Sequence, residues 1–344
     1  MSETHCFTSI SFSYLDRARV LAETIKRHHP DWTLWLCMSD VEPEGFNFDL
    51  ADEDFDHIVR VWELDVPSHH AWTFKHDVVE LCTAVKGAMM QHILAQGAQR
   101  VYYIDPDIAL FEPLIHVEEA LNTHSVVLTP HLLSKELDRQ GILDNEISCL
   151  KHGVYNLGFV AVRNDSNGRQ FADWWGDRLR EFCYDDIPAG LFTDQRWCDL
   201  APALFDGVHV LRNTGYNVAS WNLSQRPLTI THGGEIYAGS DLLRFFHFTK
   251  VNSVGEMSLD RGARGHAEVF ELLRWYRERL LHHVATGLPS GWWHYSHYQD
   301  GTPIARQHRL IWRDREDLRH AFTDPYQSGP GTFQSWCSDN LPQP

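Results

Sequence analysis

The sequence predicts an α/β fold built on a mostly parallel sheet, and three features carry that expectation. The N-terminal segment reads strand, helix, strand with short connections. A long helix with apolar periodicity then runs into a short apolar strand, Val101 to Ile104. That strand ends abruptly in Asp105-Pro106-Asp107, two carboxylates at the edge where open α/β sheets take their ligands.

The elements follow in order. Cys6 to Ser11 makes the first strand, and Asp16 is placed to cap a helix over Arg17 to His29, whose Ala18, Leu21, Ala22 and Ile25 share one face. Pro30 stops that helix, and Thr33 to Met38 and Ile58 to Trp62 read as the next strands. From Val78, apolar residues recur at Leu81, Cys82, Val85, Met89 and Ile93, with Gly97 as a C-cap. A short helix after Leu114 and a strand from Val126 to Thr129 come next. Lys151 to Gly158 reads as a tight turn entering the strand Phe159 to Val162. Ser166 is placed to cap a helix ending near Cys183, with Phe171, Trp174, Trp175 and Phe182 as core residues. Thr193 stands where a cap would start another helix. Gly215 to Asn222 reads as a polar and aromatic loop outside the core, and Phe245 to Phe248 as an apolar strand interrupted by His247. From His266, residues Val269, Leu272, Leu273, Tyr276 and Leu280 line one face of a helix closed by Gly287. An irregular, aromatic-rich tail follows.

Composition narrows the function. With 43% hydrophobic and 22% charged residues over 344 positions, the chain can bury a sizeable core and is not disordered. A formal net charge of −17 argues against nucleic-acid binding, so an anionic substrate would need local neutralisation, which a metal can supply. No basic segment followed by an apolar run opens the chain, and no uncharged stretch is long enough to span a bilayer. The expected location is cytoplasmic, with peripheral membrane contact left open. The 7 scattered cysteines, none in a C-x-x-C pair, read as reduced, mostly buried thiols. The 22 histidines form no H-E-x-x-H pattern, which removes support for a zinc hydrolase.

The chemistry centres on a few residues. Asp105 and Asp107 suit a hard divalent cation that completes its shell with substrate phosphates, although Asp-Pro-Asp is also ordinary turn chemistry. Lys86 shares a helix side with Thr83 and, taken alone, reads as a solvated lysine. His247, taken alone, reads as a satisfied buried histidine, yet a third ligand beside two carboxylates is what a partly hydrated ion accepts. Asn156 and Gly158 are either turn residues or a place where a ligand nears the backbone and an amide meets a sugar hydroxyl. Asp194-Gln195 offers a carboxylate and an amide, good partners for sugar hydroxyls.

Taken together, these pieces resemble a GT-A-type glycosyltransferase, closest to the retaining families that include glycogenin and bacterial lipopolysaccharide sugar transferases. The matching stretches run in the family's order over Thr8 to Asn252: T-A-V-K, Y-I-D-P-D-I, N-L-G-F, T-D-Q, Y-N-V-A-S-W-N and H-F-T-K. The resemblance implies a GT-A (Rossmann-like) mixed, mostly parallel sheet flanked by helices. It implies a catalytic domain over 1–260 and a helical or irregular extension over 261–344. Asp105, Asp107 and His247 would hold Mn²⁺ or Mg²⁺ against a nucleotide diphosphate. Ser9 and Tyr14 would meet base and ribose, Lys86 the donor sugar or phosphate, and Asn156 and Gly158 the sugar side. Asp194 and Gln195 would sit near the anomeric carbon. Lys250 matches the family's late phosphate lysine, although it lies three residues after the histidine and the intervening glycine of the family is absent.

The implied activity is transfer, with retention, of a hexose from a UDP-sugar or similar donor to a glycan, lipid-linked or protein acceptor, as in bacterial surface polysaccharide synthesis. The alternative is a nucleotide-sugar or glycan binding protein of the same fold without turnover. A nucleotidyltransferase is disfavoured, since SISFSYLDR is no Gly-rich phosphate loop.

Overall fold

The structure, a computed structural model, describes residues 3–249, 251, 254–263 and 265–341. Its strands are Thr4–Ile10 (β1), Thr33–Met38 (β2), His57–Arg60 (β3), Arg100–Ile104 (β4), Ile108–Leu110 (β5), Val126–Pro130 (β6), Tyr155–Arg163 (β7), Val208–Val210 (β8) and Phe245–His247 (β9), besides short outlying pairs. Seven of them form one sheet in the order β8-β6-β7-β4-β1-β2-β3. β7 runs antiparallel to both neighbours, and the other pairings are parallel. The mixed, mostly parallel sheet expected from the sequence, flanked by helices and followed by a helical C-terminal part, is the architecture found.

Both sheet faces are covered, which is why the strands read as nearly continuous apolar runs. Alternation still assigns sides: Tyr103 packs with Phe7 in one core cluster, and Tyr102 with Trp32 in the other. The helix Leu15–His28 covers the Tyr102 side. Helices Val78–Ala95 and Ser166–Phe182 lie against each other on the Tyr103 side. They approach so closely that a Cβ on Gly87 would stand 2.4 Å from the Gly176 Cα.

Several local expectations shift. Asp16 lies inside the first helical turn, where its carboxylate accepts from the Arg17 amide (2.8 Å); Tyr14 is the N-cap. The third strand ends at Arg60, and Val61–Glu63 is a 3₁₀ turn. Asp165, not Ser166, caps its helix, accepting from the Gly168 amide. Phe182 is exposed where a core residue was expected; it is the last residue of its helix and meets the ring of Trp197. Thr193 caps no helix: its φ is +43° and its hydroxyl turns to Asp194. Asn156 to Gly158 lie within β7 and not in a turn before it. The segment 215–222 is not a solvated loop, since Tyr216, Asn217, Val218, Ala219 and Asn222 are all buried. The cysteines are free, and five of the seven are buried.

The tail is more regular than its Gly and Pro content suggests, with helices Arg306–Asp314, Glu316–Ala321 and Phe333–Asn340. It joins the first core cluster through Trp312, fully buried between Phe74 and Phe333. The buried Arg309 guanidinium donates to the carbonyls of Phe74, His76 and Tyr295, and Arg313 pairs with Glu80. A second tie is Asp40, just past β2. Its carboxylate accepts from the amides of Phe12 (3.1 Å), Val41 (2.9 Å) and His294 (2.8 Å). Burial raises its pKa from 3.8 to about 7, against the pull of those three amides.

Two outcomes follow from this packing. Gly87→Ala should destabilise the fold by roughly 1–3 kcal/mol through overpacking of two backbones, read as a lower urea midpoint. Because the Asp40 carboxyl holds its proton more tightly folded than unfolded, its contribution to stability is full below pH 3.8 and is lost as pH rises to about 7. The stability difference between wild type and Asp40→Asn should therefore shift against the wild type across that window and stay flat above it. A difference independent of pH would show that this carboxyl is not raised.

Candidate functional site

The strand β4 delivers the chain to the sheet edge, where Asp105 begins a reversal. The Asp105 amide donates to the Gly158 carbonyl (2.8 Å), and the Ile108 amide to the Asp105 carbonyl (3.1 Å). The reversal feeds β5, which pairs antiparallel with β9 so that His247 stands opposite Ile108. A non-local strand pair thereby brings His247 beside the acids. Its Nε2 lies 2.9 Å from Asp107 Oδ1 and 3.7 Å from Asp105 Oδ2. One ligand atom from each of the three residues falls within 4.8 Å of the others.

The surroundings hold this cluster in place. His247 Nδ1 is 3.2 Å from Asn156 Oδ1, a contact that fixes the ring and leaves Nε2 facing the acids. Burial disfavours an imidazolium, but Asp107 outweighs it and the His247 pKa is raised. Burial likewise pushes the Asp107 carboxyl up, and His247 overcomes that and holds it below the usual carboxylate range. An imidazole nitrogen this close to a carboxylate oxygen needs a proton or a cation between them. Two carboxylates and one imidazole are a donor set that fits Mn²⁺ or Mg²⁺. Gly158 makes room for them: a Cβ there would meet His247 Cε1 at 2.7 Å and the oxygens of Asn156 and Asp105 at 2.8 Å.

Lys86 overturns its reading as a solvated lysine. Its side chain is 2% exposed, and its ammonium donates to Asp194 Oδ2 (2.8 Å), the Leu157 carbonyl (3.1 Å) and Asp105 Oδ1 (3.3 Å). Burial works against this charge, yet Asp105 and Asp194 outweigh it and raise the pKa. The ring of Tyr103 lies 4.0 Å from the ammonium, and the Tyr103 hydroxyl donates to Asp105. Asp194 also accepts from the Thr193 hydroxyl at 3.1 Å. Gln195 is engaged at both ends: its Oε1 accepts from the Leu157 amide (3.2 Å), and its Nε2 donates to the His152 carbonyl (2.8 Å).

The other expected residues are spread along the same edge. Ser9, buried at the end of β1, faces the Ser39 hydroxyl at 3.5 Å. Tyr14 is 39% exposed, stacked under Arg17 at 4.4 Å, and its pKa is raised by burial and by Asp107. Lys250 lies outside the described residues. The structure thus brings Asp105, Asp107, His247, Asn156, Gly158, Lys86 and Asp194 together, with Gln195 behind them.

Three participants escape the sequence reading. Tyr103 carries a weak signal, since in an alternating strand it shares a face with Asp105, two residues on. Trp221 places its ring edge-on to His247, 5.4 Å between centroids, and no local pattern announces that. Asn217, fully buried at φ +54°, a conformation that asparagine tolerates better than most residues, takes part only by shaping the backbone that leads to Val218, whose carbonyl accepts from the His247 amide.

No protein-family model matches the chain. Two uncharacterised proteins of Bacillus subtilis (strain 168) are similar to it. YfnD is 25% identical over 263 residues, 74% of this chain and 80% of YfnD. YfnF is 27% identical over 192 residues, 53% of this chain and 60% of YfnF. Solved structures similar to this chain are glycosyltransferases. The galactosyltransferase LgtC, solved with donor and acceptor sugar analogues, overlaps 84% of this chain and 98% of its own at 14% identity and a TM-score of 0.47. GlyE of Streptococcus pneumoniae TIGR4 overlaps 81% of this chain and 64% of its own at 14% identity and a TM-score of 0.42. At 14% identity and TM-scores below 0.5 these likenesses carry no chemistry, which rests on the side chains themselves.

Gly158→Ala tests the cluster directly. The added methyl should push His247 and Asp105 apart and weaken Mn²⁺ binding by roughly 10–100-fold, measured by calorimetry, while the far-ultraviolet spectrum is retained. Unchanged Mn²⁺ affinity would mean that these three residues do not form the ion site.

Proposed function

We propose that this chain is a metal-dependent glycosyltransferase that moves a sugar from a UDP-sugar, or a similar nucleotide-sugar, to a glycan, lipid-linked or protein acceptor. The observation that carries the reading is the Asp105–Asp107–His247 cluster at the C-terminal sheet edge with the Lys86–Asp194 pair beside it. A nucleotide-sugar needs a site for its diphosphate and, next to it, polar groups for the sugar. Both are supported here by side chains from distant parts of the chain.

In this reading Asp105, Asp107 and His247 hold Mn²⁺ or Mg²⁺, which when bound stabilises the negative charge gathering on the departing diphosphate. Asn156 keeps His247 oriented. Lys86 acts as a positioning residue, because all three of its donors are spent on Asp105, Leu157 and Asp194. Asp194 then presents a fixed carboxylate toward the sugar. Ser9 and Tyr14 line the nucleoside side, and Asn156 and Gly158 the sugar side. Gln195 supports the sugar side through the backbone of Leu157.

The commitment of Asp194 bears on stereochemistry. Burial raises its pKa, but both its oxygens already accept, from Lys86 and from Thr193, so the carboxylate is held where it is and not free to swing to an acceptor hydroxyl. That favours retention, with a leaving phosphate oxygen taking the proton, over inversion with Asp194 as base. The rest of the reading is a hexose as the transferred sugar, residues 1–260 as the catalytic unit, a cytoplasmic location and a place in surface polysaccharide synthesis. No helix among the described residues is long and apolar enough to cross a membrane.

Nucleotide release from a panel of sugar nucleotides, with and without Mn²⁺, tests this. Wild type should release UDP in a metal-dependent manner, and Asp107→Asn should lose roughly 100-fold or more of that rate. Metal-independent release that survives the substitution would sink the proposal. Tight metal-linked UDP binding without any release would favour a binding protein instead.

A further inference from the structure

We propose that the C-terminal extension carries a second ligand site, a pocket for neutral carbohydrate that holds a distal part of a glycan acceptor. The inference rests on the glycosyltransferase reading for the word acceptor, but the pocket is argued from its own residues. It is a cavity of about 490 Å³, within the range of small-ligand sites. Its walls include the rings of Trp292, Tyr295, Tyr298 and Tyr326, with His70 and Asp324 among the polar groups around them.

The chemistry of the lining selects the ligand class. Sugars present an apolar face of C–H groups bordered by hydroxyls, and they match aromatic walls with hydrogen-bonding groups nearby. The tyrosine hydroxyls are already engaged: Tyr295 with His69, Tyr298 with His308 and Tyr326 with Thr73. With those hydroxyls engaged and the tyrosines buried, the half-buried Trp292 is the most open of the four rings. Hydrogen bonding falls to Asp324 and to the exposed His294, His297 and Gln299. Among the described residues no lysine or arginine lines the cavity, and Asp324 adds a carboxylate. Apart from its histidines the pocket holds no cationic side chain to set against a diphosphate or an acidic glycan, which makes a neutral sugar the better match and separates this pocket from the nucleotide site.

Position connects the two sites. The Trp292 indole donates to the Val41 carbonyl and the His294 amide to Asp40, both at 2.8 Å, so the pocket is anchored just past the end of β2. In the sheet β2 lies two strands from β4, whose end carries Asp105, a separation of roughly 10 Å. A glycan chain gripped in the pocket lies along the same edge at which the sugar would be transferred.

Retention on an array of neutral and acidic glycans, followed by saturation-transfer titration of the best-retained oligosaccharide, tests the proposal. Wild type should retain at least one neutral oligosaccharide. Trp292→Ala should weaken it by roughly tenfold, and Gln299→Ala, at an exposed position, should weaken it measurably. Both variants should keep the wild-type melting temperature and Mn²⁺-linked UDP binding. If Trp292→Ala does not fold, Gln299→Ala decides alone. Retention of no neutral glycan, retention of acidic glycans only, displacement by UDP, or affinity unchanged in a folded variant would each overturn the proposal. Glycan retention in a protein that releases no nucleotide would leave the pocket standing and remove only the transferase reading. Metal-dependent release without glycan retention would do the reverse.

Discussion

Charge balance at the end of β4 is the constraint on which the site depends. Three carboxylates, Asp105, Asp107 and Asp194, converge there, and two cationic side chains, Lys86 and His247, face them. Buried charges persist only when paired and hydrogen-bonded, since an uncompensated one costs several kcal/mol. The antiparallel pairing of β5 with β9, the glycine at 158 and the buried course of residues 215–222 can all be read as conditions for that balance. The pairing brings the imidazole, the glycine leaves space for it, and the buried segment backs it through Trp221. A divalent cation held in such a cluster would take the place of a proton and ease the excess of negative charge.

How much of this was legible in the sequence depends on the range of the interaction. Elements set by local periodicity, such as β2 and the helix starting at Val78, read correctly. So did the acidic sheet edge, because Asp-Pro-Asp after an apolar run is a local signal. His247 could be suspected only by likeness, since its place depends on β9 pairing with β5 across more than a hundred residues of chain. Lys86 misled for the same reason: nothing near it in sequence reveals that Asp194 will arrive to bury it. Gly158 looked like a turn residue, but its lack of a side chain serves the space occupied by His247, Asn156 and Asp105, and the backbone there is plain strand. The tail helices were hidden because they are short and rich in polar and charged residues, and they are held by Trp312 and Arg309 locking into the first core.

The two halves of the molecule are correspondingly unlike in how they are held. The sheet edge is fixed by paired charges and strand register, whereas the extension is fixed by aromatic packing and by arginines donating to backbone carbonyls. Arg309 donates to three carbonyls and faces the rings of Phe74 and Trp293, a mode of burial that needs no acidic partner. The Arg309 contacts are therefore little affected by salt, whereas the exposed ion pairs on the surface are screened by it.

The amide of His294 reaches the Asp40 carboxylate across 254 residues of sequence. At roughly 5–20 residues per second, a ribosome makes those two groups on the order of ten seconds or more apart. For that interval the nascent chain carries the end of β2 and the turn at Phe12 with one of the carboxylate's three amide partners still unsynthesised. Until His294 is made, the end of β2 keeps that acceptor unfilled, and a residue of the C-terminal extension is what completes it.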